Sequence, residues 1–433
     1  MQSNYVQSHP QRYALSNELH ARPFSKIDAP SRAACIALLS NGDPEEDRAF
    51  LRQLLDRFGA SYPADSADHH SVDLGKVQLK WERHTEFVTY TLFSKGVSDD
   101  PFGGDLSANF PRDWLEQSPG PLMTSLLLRI EGPMTIKKAE TMANVEFQDW
   151  FVGESLAQSF VLDRDAVIAS DFRIDAGGHT RFALLAIGQV GQRRLGRIVQ
   201  RLIEIETYKT MAMLTLPVAK DVFAKLGPLN TEISDVVRSL SQGEGTSKEG
   251  LENLLSIAAQ IESLNADHSF RFSAAEAYSA IVTQRIGILR EERLLGGQTF
   301  AEFMMRRFDP AMRTCSSASK RLDETSSRAA RASDLLSTRV NVRTNEQNRG
   351  LLEQMDNRAA LQLRLQETVE GLSVVAISYY GTNLLTYLLY PLASRAGLEK
   401  TYLTAALVIP VVLVVWSMVR RVRKRLHPKP PKS

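Results

Sequence analysis

Among 433 residues, cysteine occurs only at Cys35 and Cys315, far apart and without a Cys-x-x-Cys pattern. That scarcity excludes a disulfide framework or a zinc ribbon and suits a reducing compartment. Also missing are the Gly-x-x-x-x-Gly-Lys phosphate loop, the His-Glu-x-x-His metal pair and the Gly-x-Ser-x-Gly nucleophile elbow. No familiar nucleotide, metalloprotease or serine-hydrolase chemistry is therefore written in the chain. GQRRLGR at residues 191–197 lacks the Gly-Lys end and is no phosphate loop. The body has no excess of positive charge either. The formal net charge is +2, and with the seven cations that follow Val419 set aside, residues 1–419 carry −5. The basic character belongs to the tail, which argues against a nucleic-acid surface.

Long uncharged runs, in contrast, are present. Gly371–Leu392 and Thr401–Val419 flank a short loop, and each approaches the ~20 residues that a helix needs to cross hydrocarbon. The second, TYLTAALVIPVVLVVWSMV, is the more apolar, and Pro410 would kink it without forbidding it. The first carries Ser373, Ser378, Thr382, Asn383 and Thr386, so its insertion is more marginal. Tyr390 and Tyr402 suit one interface and Trp416 the other. Arg420, Arg421, Arg423, Lys424, Arg425, Lys429 and Lys432 follow the second run with no acidic residue, whereas the loop holds Arg395, Glu399 and Lys400. This asymmetry places the tail in the cytoplasm, and two crossings return the body to the same side. The first residues show no basic start followed by an apolar stretch, so no export signal is expected.

Upstream of these runs the chain divides by pattern. Residues 25–188 read as an α+β cytoplasmic domain that follows an N-terminal segment, 1–24. Within it Ala33–Leu39 is a strand, Pro44–Phe58 an amphipathic helix, and Val77–Phe93 two strands around a turn. Leu122–Glu131 is a further strand, and Ala166–Ile174 with Arg181–Ile187 bracket the turn signal DAGGH as a hairpin. Residues 189–370 read as a long helical bundle or coiled-coil stalk. One helical face is Leu195, Ile198, Val199, Leu202, Ile205 and Met211, and another is Leu251, Leu254, Leu255, Ala258, Ile261 and Leu264. Cys315, Ala318, Leu322, Thr325, Ala329, Ala332 and Leu336 recur at intervals of three and four, a seam for another helix in the same chain or a second copy. A last helix, from about Leu351, runs without a stop into the C-terminal transmembrane hairpin, 371–419, with crossings at 371–392 and 401–419. The basic tail is 420–433.

YALSNELHARPF at 13–24 and NRAALQLRLQETVEGLSVVAISYY at 357–380 resemble the bacterial family of membrane-anchored proteins called domain of unknown function 3422. The resemblance covers nearly the whole chain. It implies an architecture and a membrane location, and it carries over no activity or catalytic residue.

Three polar groups stand out. His20 can move protons near neutral pH and Arg22 can hold a phosphate or carboxylate, but Pro23 and Phe24 equally fix a turn in which Arg22 pairs structurally. Asp65, Asp68, His69, His70 and Asp73 could ligate a metal, although their spacing matches no metal motif and a solvated loop after Pro63 explains them as well. Arg193, Arg194, Arg197 and Arg201 place guanidinium groups along one side of a helix, where they could meet phosphates or lipid headgroups. Glu204 and Glu206 follow closely, so a salt-bridged surface is the plainer account.

The expected function is a non-enzymatic scaffold or interaction protein of the bacterial inner membrane. Its expected partners are the lipid bilayer and a second copy through the stalk, with no nucleic acid, and no catalytic, cofactor or metal residue is assigned. Two rivals stay open. The layout is similar to that of CorA-type magnesium channels, but Tyr380-Gly381-Thr382-Asn383 replaces their Gly-Met-Asn signature and lies inside the first crossing. Asn383 is better read as an interhelical hydrogen bond. An enzyme using the N-terminal domain would need His20 or Arg22 to converge with a carboxylate in a pocket.

Overall fold

The computed structural model describes residues 8–18, 24–65, 67–103, 110–242, 247–396 and 399–426. Contacts divide the chain into two compact units, Met1–Ser333 and Asp334–Ser433.

The first unit is built on a nine-stranded mixed sheet. In chain order the strands are β1 (Ser31–Leu39), β2 (His69–Asp73), β3 (Gln78–Arg83), β4 (Phe87–Lys95), β5 (Leu122–Met134), β6 (Ala157–Val161), β7 (Ala166–Ile174), β8 (Thr180–Ile187) and β9 (Glu292–Arg293). Across the sheet they run β2-β3-β4-β1-β5-β8-β7-β6-β9. The β5–β8 pair is parallel and every other pairing is antiparallel. Two antiparallel halves thus meet at one parallel seam, and the short β9 arrives from far along the chain to close an edge.

The expected strands and the hairpin around DAGGH form, while β2 does not match the solvated loop expected after Pro63. Its signal was the turn: Asp73 Oδ1 accepts a 2.7 Å bond from Gly75 N, Gly75 sits at φ 89°, and Leu74 N donates to Val77 O. That turn sets the register from His69 opposite Glu82 to Asp73 opposite Gln78.

A short helix, α1 (Arg12–Glu18), precedes β1, and later helices cover both faces of the sheet. On one lie α2 (Pro44–Phe58), α3 (Arg112–Leu115) and α4 (Ile136–Trp150). Local chemistry starts and stops α2: Asp43 caps Glu45 N at 2.9 Å, proline opens the first turn with three carboxylates, and Gly59 closes it at φ 59°. Its Phe50, Leu51, Leu54 and Leu55 pack with Trp81, Tyr90 and Trp114. The other face is covered by α5 (Gln192–Met213), α7 (Ser247–Leu289) and α8 (Phe300–Arg307). Alternation assigns the sides: Ala33 and Cys35 of β1 face α5, and Ala34, Ile36 and Leu38 face α2. β1 is therefore a continuous apolar run, because both of its faces are buried.

The expected α5 face, from Leu195 to Met211, is buried throughout. In α7 the face is Leu254, Ile257 and Ile261, whereas Leu255 is 54% exposed, a correction to the expected stripe. Spacings of three and four from Leu254 select Ile257 and turn Leu255 outward. Helix α6 (Thr215–Gln242) precedes α7, and α9 (Asp309–Arg395) follows α8. Cys315, Ala318, Leu322, Thr325, Ala329, Ala332 and Leu336 are all buried. The partner of this seam in the first unit is α6: Asn230 Nδ2 donates to Thr325 Oγ1 at 3.0 Å, Arg328 reaches Ser234 at 3.0 Å, and Arg321 lies over the Phe223 ring.

The second unit contains the rest of α9, into which the helix from Leu351 runs unbroken, and α10 (Lys400–Leu426). Both helices are long and apolar enough to cross a membrane, with windows of mean hydropathy 1.3 and 2.3. Pro391 and Pro410 lie inside them. Ser378, Thr382 and Thr386 are buried on one side of α9, while Leu372, Tyr380, Leu384, Leu388 and, on α10, Ile409 and Val414 are well over half exposed. Thr386 and Thr404 hydroxyls meet at 3.5 Å, and a Cβ on Gly381 would stand 3.2 Å from Val411 Cγ1, so the helices approach closely there. Among the described residues this threonine pair, and not Asn383, makes the interhelical bond.

Candidate functional site

The most distinctive polar site grows out of β3. Leu79 and Trp81 point into the α2 side of the core, so period-2 alternation turns Lys80 and Glu82 to the opposite face. On a solvated sheet such charges would be unremarkable, but here helices cover that face and leave Lys80 and Glu82 under a tenth exposed. Buried charges must be paired. Lys80 Nζ lies 3.0 Å from Glu82 Oε2 and 2.7 Å from Gln200 Oε1. Gln200 Nε2 donates to Glu204 Oε1 at 2.9 Å, and Glu204 receives Arg285 Nε from α7. A polar chain thus runs from the sheet through α5 to α7.

Beside this chain is a cavity of about 440 Å³. Lys80, Glu82, Thr89 and Thr91 form its sheet wall, and Gln200, Arg201, Glu204 and Thr207 its α5 wall. Phe24, Phe87, Phe93 and Tyr208 supply aromatic surface, and His84 lies at the turn between β3 and β4. The rim at Phe24 and Ser25 is held against α5 because position 196 is glycine: a Cβ there would collide with the Ser25 carbonyl oxygen. The same segment is tied down by Ile27 N to Gln192 O, 3.3 Å, and Gln192 Nε2 to Asp28 Oδ1, 2.7 Å.

An aromatic group flanks the cavity. His84 stacks on Phe87 with centroids 4.4 Å apart, and Tyr208 stacks on Tyr278 at 5.5 Å. Glu86 accepts two bonds from Arg271, at 2.6 and 3.0 Å, and one from the Tyr278 hydroxyl at 2.6 Å. Burial first, and then the carboxylate of Glu86, push the Tyr278 phenol well above its usual pKa, so it stays a donor.

The lining carries three basic side chains, Lys80, Arg201 and Arg285, against two acidic ones, Glu82 and Glu204. Lys80 and Arg285 are paired as described, and among the described residues Arg201 has no ion-pair partner. Burial, followed by the nearby guanidiniums of Arg197 and Arg285, lowers its pKa.

The arginine face of α5 therefore differs from the expected salt-bridged surface. Glu204 is taken by Arg285, and Glu206 by Lys209 at 2.8 Å and Thr180 at 3.1 Å. Arg194 pairs with Asp163 and Asp165. Arg193, Arg197 and Arg201 are left without an ion pair among the described residues. The cause is geometric: Glu204 faces Arg285 of α7, and Glu206 faces Lys209 one turn further along α5 together with Thr180 of β8.

The remaining sequence candidates do not converge here. His20 and Arg22 lie outside the described residues. Asp68 pairs with Arg83 and Arg48, His70 Nε2 lies 2.8 Å from the Ser61 carbonyl oxygen, and Asp73 holds its turn. Among the described residues, no three His, Cys, Asp or Glu side chains are grouped so as to hold a metal ion. Sequence reasoning passed over Lys80, Glu82 and His84. Their signal was the polar counterface of the Val77, Leu79, Trp81 alternation.

No curated protein matches the chain. A family model described as "Protein of unknown function (DUF3422)" matches residues 7–426. The chain belongs to the DUF3422 family.

Proposed function

We propose that this is a membrane-anchored binding or scaffold protein, held in a bacterial inner membrane by the hairpin of residues 371–392 and 401–419, with its body and both termini in the cytoplasm. One observation carries the anchoring: in α9 and α10 the hydroxyls of Ser378, Thr382 and Thr386 are buried while large apolar side chains are exposed. Exposing so many leucines, valines and tyrosines to water costs about 25 cal/mol per Å² of apolar surface, whereas lipid removes that cost. Close approach at Gly381 and the Thr386–Thr404 contact are the packing expected of helices in lipid, where small residues and hydroxyls replace hydrophobic burial. The cations that follow Val419 support the cytoplasmic orientation of the tail.

A binding or scaffold role is supported because Lys80 pairs with Glu82 and Arg285 with Glu204, which leaves the Arg201 cation in the cavity lining to meet a ligand. A transport reading draws support from the 87-residue helix that carries the first crossing. Against it, among the described residues Ser378, Thr382 and Thr386 of that crossing are buried, and Thr386 meets Thr404 of α10.

Fractionation tests the anchor. The full chain should remain in the membrane pellet after a carbonate wash and be released by detergent. Recovery in the carbonate supernatant would sink the proposal.

A further inference from the structure

The cavity of the first unit has a feature that anchoring does not use. It combines a cation in excess, an orphan hydroxyl and an aromatic wall in one cavity. At about 440 Å³ it lies within the range of small-molecule sites, ~300–1,000 Å³. Lys80 and Arg285 pair with its two carboxylates, so of its three cationic side chains Arg201 alone has no ion pair among the described residues, although the charge of Glu204 also acts on it. Thr207 Oγ1, in a residue only 2% exposed, lines the same space and has no hydrogen-bond partner among the described residues. A buried hydroxyl without a partner is costly, and a ligand acceptor would relieve it. Phe87, Phe93 and Tyr208 offer a surface for an apolar or planar body.

We infer that this cavity binds a small soluble organic anion, with Arg201 holding its phosphate or carboxylate and Phe87, Phe93 and Tyr208 contacting its apolar or aromatic part. A guanidinium presents a planar fork of donors that matches either anion. The requirement for an apolar body separates this ligand from a simple inorganic ion. The Lys80–Gln200–Glu204–Arg285 chain acts as the positioning frame: it fixes the Gln200 and Glu204 turns of α5 on either side of Arg201. This site stands independently of the membrane anchor, so either can fail without the other.

Phenyl phosphate is the probe, with inorganic phosphate and phenol as its two halves, titrated calorimetrically into the full chain in detergent. Phenyl phosphate should bind saturably and more tightly than either half, and more weakly as salt is raised. Arg201→Gln should weaken it about tenfold or more, the scale of a hydrogen bond to a charged group. Arg201→Lys keeps the charge and should recover part of that loss, which separates ligation from misfolding. Arg193→Gln, at an exposed position on the same helix and outside the lining, should leave affinity unchanged. Absence of saturable phenyl phosphate binding at millimolar concentration would overturn the proposal. So would wild-type affinity in a folded Arg201→Gln protein, or equal losses in Arg193→Gln and Arg201→Gln.

Discussion

Burial decides the chemistry of both thiols. Cys35 sits among Ala33, Leu126 and Phe182 on the α5 face of the sheet, and desolvation pushes its pKa up to about 12, against the lowering influence of the Thr91 hydroxyl. Cys315, on the seam of α9, is also raised, again chiefly by burial. The thiolate is the reactive form, so both cysteines should resist alkylation at pH 8 in the folded protein and react promptly once urea unfolds it. Fast labelling of native Cys35 would contradict its placement. The sign for stability follows from the raised folded value. The contribution of Cys35 is fully present below its ordinary value of 9.0 and is lost as pH rises toward about 12. Relative to Cys35→Ala, the wild type should lose stability more steeply across that window in urea melts. Little of this was legible in sequence, where two distant cysteines show only that neither disulfide nor zinc is supported. Arg201 was visible as part of an arginine run, but its lack of a counterion depends on Arg285 claiming Glu204, a contact between residues 81 positions apart.

Elements with strong local signals were read correctly, and those that depend on distant partners were not. Helix α2 carries its cap, its proline and its terminal glycine in sequence, and its bounds follow from them. The seam of α9 was legible from its three-and-four spacing, and every member is buried, although the partner α6 could not be chosen over a second copy. β2 was missed because HHSVD has little β character of its own and takes its register from β3. The seam makes a quantitative prediction. Leu322 is 1% exposed, and Leu322→Ala removes buried methyl groups and leaves a cavity, costing about 2–5 kcal/mol. Leu335→Ala, at a position 72% exposed on the same helix, should cost less than about 0.5 kcal/mol. Denaturant melts in detergent compare the two, and equal effects would show that the seam is not packed.

At the scale of the whole molecule, two solvents divide the chain. Residues of the first unit bury leucines and aromatics and expose charge, whereas the two apolar helices of the second bury hydroxyls and expose leucines, valines and tyrosines. This inversion is the observation on which the proposed membrane anchoring rests. Reporter fusions test it most directly, placed in turn at the N-terminus, in the turn after Arg395 and at the C-terminus of the full chain. Both terminal reporters should read cytoplasm and the turn reporter the opposite side of the membrane. A cytoplasmic signal from the turn, or opposite signals from the two termini, would contradict the hairpin.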